Sequence, residues 1–365
     1  MTEEPRRRDV WRHGMKRAVV SLGTIVPAKE PRWPIALQAA IVMTVPIVIG
    51  IAAGRMDLGL IAATGAFTVP YFAALPRLER LRLRPIAGLV LVLTSLLGAA
   101  LAPYPWLSAL GLVAVTVAIG IAVHGYRLGP PGPLFPILVY GMSGHAVNGG
   151  LPPTTLVLTV AAGCAWAVVA SIAPLIRRVH WQVRPRPLSV LLARPDWDRG
   201  ARELVWRTAI VAVLGTALSL LYVDPDRAYW TVAAGVVVIG VVPGRGPALT
   251  RGLHRAVGTV AGVGVYLAIA YSGMPPLALA LTLGTLQFIT ELAISRHYAI
   301  AVTAVTPMAL VIVTASAGEL GDLAVTGERI LDTLLGAGLA VATALLHAPA
   351  PPDAAGRHAP PHRAD

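Results

Sequence analysis

Long apolar runs separated by short polar segments make up most of the chain. A helix needs about 20 apolar residues to cross a bilayer, and runs close to this length recur throughout the 365 residues. They predict twelve membrane-spanning helices, at residues 35–54, 57–75, 85–102, 106–124, 133–147, 154–176, 204–222, 228–243, 254–272, 276–294, 298–316 and 328–347. The pattern therefore predicts an all-α integral membrane protein.

The composition agrees with a membrane environment. Hydrophobic residues make up 56% of the chain and charged residues 13%, whereas a soluble domain carries about 25% charged residues. The net charge of +12 would indicate nucleic-acid binding in a soluble protein. However, no stacking aromatic residues alternate with the basic ones, as single-strand binding requires. We therefore expect the lipid bilayer, and no nucleic acid, as a partner.

The basic residues are concentrated on alternate loops. One set of loops carries clusters such as Arg6–Arg8, Arg77–Arg84, and Arg251 with Arg255. The other set reads APYPW, NGGLPP and YSGMPP, without charge, or has mixed and acidic sequences such as VDPDR. Cytoplasmic loops of membrane proteins carry an excess of Lys and Arg. The alternation predicts a multi-pass protein of the inner (plasma) membrane with both termini in the cytoplasm.

Residue spacings indicate an internal repeat. Arg84 and Arg255 are 171 residues apart, as are Pro105 and Pro276. We therefore predict two parallel six-helix repeats related by an axis along the membrane normal, with a ligand path between them. The predicted organisation is a basic cytoplasmic tail (1–34), a degenerate first repeat (35–176), an Arg/Pro-rich cytoplasmic linker (177–203), a second repeat (204–347) and a disordered cytoplasmic tail (348–365).

Signatures of soluble enzymes are missing from the sequence. It contains no GxxxxGK[ST] phosphate loop, no HExxH and no GxSxG, and its nine histidines lack metal-ligand spacing. The single cysteine, Cys164, lies in an apolar run and is interpreted as a small hydrophobic residue. We expect no enzymatic activity, no catalytic residue, no cofactor and no metal.

Two carboxylates lie in the interior of predicted spans. Charged groups at a helix centre cost at least about 2.5–3.5 kcal/mol and tend to mark substrate or ion paths. Glu291 is either a proton-coupling residue or a structural partner of Arg255 or Arg296. Asp332 is either a proton or gate residue or the local partner of Arg329, three residues earlier on the same helical face. The residues themselves leave these alternatives open.

Two residue pairs in the second half have simple structural interpretations. Tyr229 and Trp230 begin a span at the outer membrane interface, where aromatic residues anchor helices. Gly258 and Gly262 form a GxxxG spacing, which lets helices approach closely. We expect the two glycines to form a packing face. A further role of the two aromatic residues in substrate binding stays open.

Three motifs of the second half occur together. RAYWTVAAG begins a span with Tyr-Trp, RGLHRAVGTVAG carries an Arg before a Gly-Thr pair, and GERILDTLLGAG carries Arg-x-x-Asp-Thr. With this combination, residues 205–347 resemble the fusaric acid resistance and aromatic acid exporter family. The first half resembles it only through the repeat spacing, since it lacks the Tyr-Trp and Gly-Thr pairs.

The resemblance implies a membrane transporter that exports aromatic or other small organic acids with the proton gradient. On this hypothesis the substrate is a small organic anion, and a homo-oligomer is left open. An organic-anion channel of the same fold and a non-transporting membrane scaffold are the alternatives. The expected proton-coupling residues are Glu291 and Asp332, and the expected substrate or charge-compensating residues are Arg255, Arg329, Tyr229 and Trp230.

Overall fold

The computed structural model describes residues 7–27, 31–173, 185–192, 194–317 and 320–345. In these ranges the chain forms helices and turns, without a β-strand. The helices are α1 (Arg7–Ser21), α2 (Trp33–Ala52), α3 (Met56–Ala62), α4 (Arg77–Leu101), α5 (Pro105–Gly125), α6 (Leu134–Asn148), α7 (Pro153–Ala170), α8 (Leu188–Leu191), α9 (Arg199–Tyr222), α10 (Ala228–Ile239), α11 (Arg245–Tyr271), α12 (Pro276–Ala293), α13 (Tyr298–Ala317) and α14 (Leu323–Leu345). Two 3-10 segments, Ala63–Thr68 and Pro225–Arg227, follow α3 and precede α10.

Eight helices of this part of the chain are long and apolar enough to cross a membrane, namely α2, α4, α5, α7, α9, α11, α12 and α13. The other predicted spans are also helical, but α3, α6 and α10 are short. The remaining helix, α14, is long but carries Glu328, Arg329 and Asp332. The protein is therefore an all-helical membrane protein, and the number of twelve spans stays a prediction.

Several helix boundaries differ from the predicted ones. α4 begins at Arg77 and α11 at Arg245, so that Arg84 and Arg255 lie well inside helices rather than at their start. Arg is a good helix former, so each helix already begins in the Arg-rich segment that precedes the apolar run. The predicted span 57–75 is interrupted, because the helical segment ends as a 3-10 turn at Thr68.

Prolines begin three of the spanning helices. Pro105, Pro153 and Pro276 occupy the first turns of α5, α7 and α12. Proline suits this position because its missing N–H would have no partner within the helix and its φ is already helical. The prolines mark these helix starts on the face that the charge pattern predicts to be outer.

The predicted tail and linker are partly helical. α1 lies in the N-terminal tail and packs on α11, and the His297 Nε2 donates to the Leu22 carbonyl oxygen at 2.9 Å. In the linker, Asp198 caps α9, since its Oδ1 accepts a hydrogen bond from the Ala201 N–H at 2.7 Å. α9 therefore begins before the predicted residue 204. The predicted C-terminal tail lies outside the described residues.

Helix contacts recur in matching pairs along the chain. α4 packs on α6 and α7, and α11 packs on α13 and α14. α2 packs on α12, and α5 packs on α9, so each half places helices against the other. In addition, α6 contacts α10 and α3 contacts α13. The two halves are therefore interlocked rather than side by side.

Exposed aromatic side chains lie at helix ends. Trp106 near the start of α5, Tyr222 at the end of α9 and Tyr271 at the end of α11 are 77%, 78% and 68% exposed. These ends belong to the face that the charge pattern predicts to be outer. Trp and Tyr are enriched where a membrane protein meets the lipid headgroups. These three residues are therefore suited to anchor the outer helix ends.

Candidate functional site

Tyr229 and Trp230 begin the short helix α10 and are buried in the protein. Their ring centroids are 5.9 Å apart in an edge-to-face arrangement. Tyr229 packs directly on the backbone of α6, because a Cβ placed on Gly141 would lie 1.9 Å from the Tyr229 Cγ. Their burial contradicts the interpretation of the two residues as anchors at the membrane interface.

The guanidinium of Arg329, on α14, lies over the Trp230 ring. Its Cζ is 4.6 Å from the ring centroid, and the residue is only 2% exposed. A desolvated cation over the face of Trp is stabilised by about 2 kcal/mol. Within the described residues, the Arg329 Nε and Nη1 have no hydrogen-bond partner. Two donors of a buried cation are therefore available to a ligand.

Asp332 lies one helical turn after Arg329 and is 0% exposed. Its Oδ1 accepts a hydrogen bond from the Thr231 hydroxyl, which itself accepts one from the Ser219 Oγ at 2.8 Å. The Asp332 Oδ2 has no hydrogen-bond partner in the described part of the chain. Both charged residues thus contact α10 inside the protein, and neither reaches the surface.

Glycines bring α14 into backbone contact with α10. A Cβ on Gly336 would lie 2.1 Å from the Thr231 carbonyl oxygen, and a Cβ on Gly235 would lie 2.8 Å from the Gly336 oxygen. Small residues permit such close approach between membrane helices. The reach of Asp332 to Thr231 therefore depends on the absence of side chains at these two glycines.

Arg255 on α11 completes the group of buried charges. It lies beside Tyr298, the first residue of α13, and within electrostatic reach of Arg329. Its Nε has no hydrogen-bond partner among the described residues. We refer to these residues as the α10 cluster: Tyr229, Trp230, Arg255, Arg329 and Asp332. With two guanidiniums and one carboxylate, the cluster has a charge of +1 that an anion can balance.

A cavity of about 60 Å³ adjoins the α10 cluster on the side of α6. Its lining includes Tyr140, Asn148, Asp226 and Tyr229. The Tyr229 hydroxyl is buried and has no hydrogen-bond partner in the described part of the chain. Because about 10–15 Å³ of such space suffices for one water molecule, water has room beside this hydroxyl.

The α10 cluster lies in a segment that is shared with a known family. Residues 204–343 match the family model described as fusaric acid resistance protein-like. The resemblance predicted from the three motifs is thereby confirmed over this range, which contains every residue of the α10 cluster. No curated protein and no solved structure matches the chain. Together with the eight apolar helices, the match indicates a membrane protein that contains a segment similar to this family.

Glu291 also belongs to the fusaric acid resistance protein-like segment but lies apart from the α10 cluster. It is buried on α12, where this helix packs on α2. Its Oε2 is 3.5 Å from the Arg32 Nη2, and its Oε1 accepts a hydrogen bond from the Gln287 Nε2 at 3.3 Å. The alternative in which Glu291 pairs with Arg255 or Arg296 is therefore wrong. The observed partner precedes α2, which only the fold brings to α12.

Gly258 and Gly262 of the same fusaric acid resistance protein-like segment lie against α13. A Cβ on Gly258 would be 2.6 Å from the Ala299 carbonyl oxygen, and one on Gly262 would be 2.7 Å from the Thr306 Cβ. α11 and α13 therefore approach closely along this face. The contact holds Arg255, three residues before Gly258, next to the start of α13.

Arg227 links the ends of α10 and α14 above the α10 cluster. It forms an ion pair with Glu328, and its Nε is 3.6 Å from the Asp224 Oδ2. Burial acts to lower the pKa of Arg227, but the charges of Glu328 and Asp224 outweigh it, so the pKa is raised. In the sequence, Arg227 belongs to the mixed-charge loop VDPDR, two residues before Tyr229.

The residue types that bind metals are dispersed. In the ranges that the structure describes, no three His, Cys, Asp or Glu side chains are grouped so that they could hold a metal ion. Cys164 is buried, and its Cβ would lie 3.3 Å from a Cβ placed on Gly88. It packs as a small hydrophobic residue between α7 and α4.

Proposed function

We propose that this protein exports aromatic or other small organic acids from the cytoplasm, coupled to the proton gradient. The observation that carries the proposal is the α10 cluster, with its two buried guanidiniums and one carboxylate. A buried charge without a partner costs several kcal/mol, and charged residues within membrane helices tend to mark transport paths. A carboxylate substrate supplies the negative charge that the α10 cluster lacks.

Each residue of the α10 cluster has a proposed role in binding. The Arg329 Nε–H and Nη1–H are charge-assisted donors, and each can donate to a carboxylate oxygen of the substrate. Tyr229 and Trp230 supply aromatic surface for an aromatic ring. Protonation of Asp332 changes the charge that the substrate meets by one unit, which is the link between proton and anion that coupled transport requires.

The proposed architecture is two parallel six-helix repeats with cytoplasmic termini in the inner membrane. It is supported by the matching helix contacts, since α4–α6 corresponds to α11–α13, and α5–α9 to α12–α2. It is also supported by the concentration of basic residues on alternate loops. In this arrangement Tyr229 and Trp230 lie at the outer end of α10, whereas Arg255 lies in the cytoplasmic half of α11.

Cysteine labelling tests the proposed orientation. Cys164 is the single cysteine of the chain and is buried, so a membrane-impermeant maleimide should leave the wild type unlabelled in intact cells. We expect Ser272→Cys, after α11, to be labelled in intact cells, and Ser189→Cys, in the linker, to be labelled only after lysis. Both serines are exposed. The opposite labelling pattern would contradict the orientation.

Neutralising the two buried carboxylates tests proton coupling. We expect Asp332→Asn and Glu291→Gln to abolish proton-driven efflux at normal expression, because neither amide exchanges a proton in the physiological range. The measurement is accumulation of a panel of labelled carboxylic acids in cells with and without the protein, each with and without an uncoupler. Wild-type efflux in both variants would exclude the proton role.

The same assay separates the alternative functions. Flux into proteoliposomes that persists without a proton gradient and depends on voltage would favour an organic-anion channel. Unchanged accumulation of every acid, together with a partner that co-purifies stably, would favour a scaffold.

A further inference from the structure

A second group of buried charges lies in the first half, outside the α10 cluster. Its centre is Arg84 on α4, which is buried and precedes Arg255 by 171 residues. The Arg84 Nη1 donates to the Ser171 Oγ, and Nη2 donates to the Val69 carbonyl oxygen at 3.2 Å. The Arg84 Nε has no hydrogen-bond partner among the described residues. One donor of a buried guanidinium is thus unused.

Two further arginines converge on the same place. Arg80, one turn before Arg84, acts electrostatically on both Arg84 and Arg32. The Arg32 Nη2 is 3.5 Å from the Glu291 Oε2, and Arg84 is also within electrostatic reach of Glu291. The Arg32 Nε and the Arg80 Nη1 are buried atoms without a hydrogen-bond partner in the described ranges. Arg32 and Arg84 therefore act on the Glu291 carboxylate, and Arg80 lies within electrostatic reach of both arginines.

The neighbouring acidic residue does not balance this charge. Glu79 on α4 is buried, and its carboxylate is already held by Arg186 of the linker. The Arg186 Nε donates to Oε1 at 2.9 Å, and Nη2 donates to Oε2 at 2.8 Å. Both oxygens of Glu79 are thus used in a bidentate pair. Among the described residues of this group, the three arginines Arg32, Arg80 and Arg84 outnumber the one remaining carboxylate, Glu291.

We propose that Arg32, Arg80 and Arg84 form a cytoplasmic binding site for a small carboxylate anion, which Glu291 occupies as an internal carboxylate when no anion is bound. We refer to it as the α4 site. The identity of the anion rests on the proposed export of organic acids. Glu291 presents the same chemical group as such an anion, so the two compete for the same guanidiniums.

The geometry of the Arg32–Glu291 contact is compatible with displacement of the Glu291 carboxylate by an anion. The Arg32–Glu291 distance of 3.5 Å exceeds the range of about 2.7–2.9 Å that is typical of charge-assisted hydrogen bonds. Glu291 is therefore held less tightly than the bidentate Glu79–Arg186 pair nearby. The Arg32 side chain is 26% exposed at the cytoplasmic end of α2, so an anion can reach the site from that side.

Binding of benzoate to the purified full chain in detergent tests the α4 site. We expect Glu291→Gln to lower the Kd for benzoate about tenfold, a change equivalent to about 1.4 kcal/mol, because the competing carboxylate is removed. Adding Arg84→Gln to this variant should return the Kd to the wild-type value or above it. Because Arg84 also makes structural hydrogen bonds, Arg80→Gln serves as a second test that leaves them in place.

Control variants separate this inference from the proposed function. The tenfold higher affinity for benzoate should persist when Arg329→Gln is added to Glu291→Gln, since Arg329 belongs to the α10 cluster and not to the α4 site. An unchanged Kd for benzoate in Glu291→Gln would overturn the α4 site even if efflux is demonstrated. A higher benzoate affinity that persists after both Arg84→Gln and Arg80→Gln would overturn it as well. A gain for inorganic phosphate or for phosphatidylglycerol vesicles, but not for benzoate, would overturn the carboxylate assignment. If no efflux is found but the higher benzoate affinity of Glu291→Gln still depends on Arg84 and Arg80, the α4 site is supported and the proposed export is not.

Discussion

Replacing Arg329 by glutamine should reduce the efflux of labelled aromatic carboxylates about 100-fold. The substitution removes the cation that lies over Trp230 and the two buried donors that have no partner among the described residues. Losing one partner of a buried, hydrogen-bonded charge pair costs about 2–5 kcal/mol. Since about 1.4 kcal/mol corresponds to a factor of ten, a reduction near two orders of magnitude is expected in initial efflux rates at matched expression.

Two further variants show whether the charge or the planar group matters. Arg329→Lys keeps the charge but loses the planar fork and its stacking on Trp230, so we expect a loss intermediate between wild type and Arg329→Gln. Arg296→Gln is the matched control, because Arg296 is exposed at the end of α12 and lies outside the α10 cluster. Wild-type efflux in Arg329→Gln, or an equal loss in Arg296→Gln, would remove Arg329 from the proposed site.

Adding one methyl group at Gly336 should destabilise the protein strongly. The new Cβ would lie 2.1 Å from the Thr231 carbonyl oxygen and 2.8 Å from the Gly235 N. Both atoms belong to the backbone of α10, so the contact is relieved only by moving one helix. Overpacking of this kind costs about 1–3 kcal/mol, occasionally more. We expect a clear decrease in the thermal unfolding midpoint of Gly336→Ala in detergent, together with loss of efflux.

The same helix provides the control. A Cβ on Gly338 has no heavy atom within 4 Å, and alanine favours a helix over glycine by about 1 kcal/mol at either position. Gly338→Ala should therefore keep or raise the unfolding midpoint. The difference between the two variants isolates the contact between α14 and α10. Equal midpoints for both variants would contradict the backbone contact.

Both charge clusters contain a repeat-related arginine, but they differ in how the acid is held. In the second half, Asp332 accepts a hydrogen bond from Thr231 on the adjacent helix. In the first half, Glu291 comes from α12 and faces Arg84 and Arg32 across the contact between the halves. The lack of Tyr-Trp and Gly-Thr in the first half accords with this difference. The α4 site and the α10 cluster are therefore proposed to have different functions.

Much of the candidate site could be predicted from local sequence. The Tyr-Trp pair, Arg255, Arg329 and Asp332 stand out because charges and adjacent aromatic residues are conspicuous within apolar runs. Their arrangement could not be predicted. Whether Arg329 pairs with Asp332 or lies over Trp230 depends on the distance between α10 and α14, which is set by Gly235 and Gly336 at a backbone contact.

The ion-pair partner of Glu291 also could not be predicted from the sequence. Arg255 and Arg296 were reasonable partners because they lie on nearby segments of the same half, whereas Arg32 is distant in the chain. The contact of α2 with α12 joins the first helix of one half to a helix of the other. Such a contact depends on shape and small residues, for example Gly284 of α12, whose added Cβ would lie 2.0 Å from the Thr44 Oγ1.

By itself, the sequence determined that this is an all-helical membrane protein, which helices are apolar, and which charges lie among them. These properties follow from runs of neighbouring residues, because the bilayer imposes a local requirement on each helix. Only the tertiary structure decided which charges meet, that Tyr229 and Trp230 face the protein, and that Glu291 lies among arginines of the first half. Those outcomes depend on packing between helices distant in sequence, where one glycine or one methyl group changes which backbones can touch.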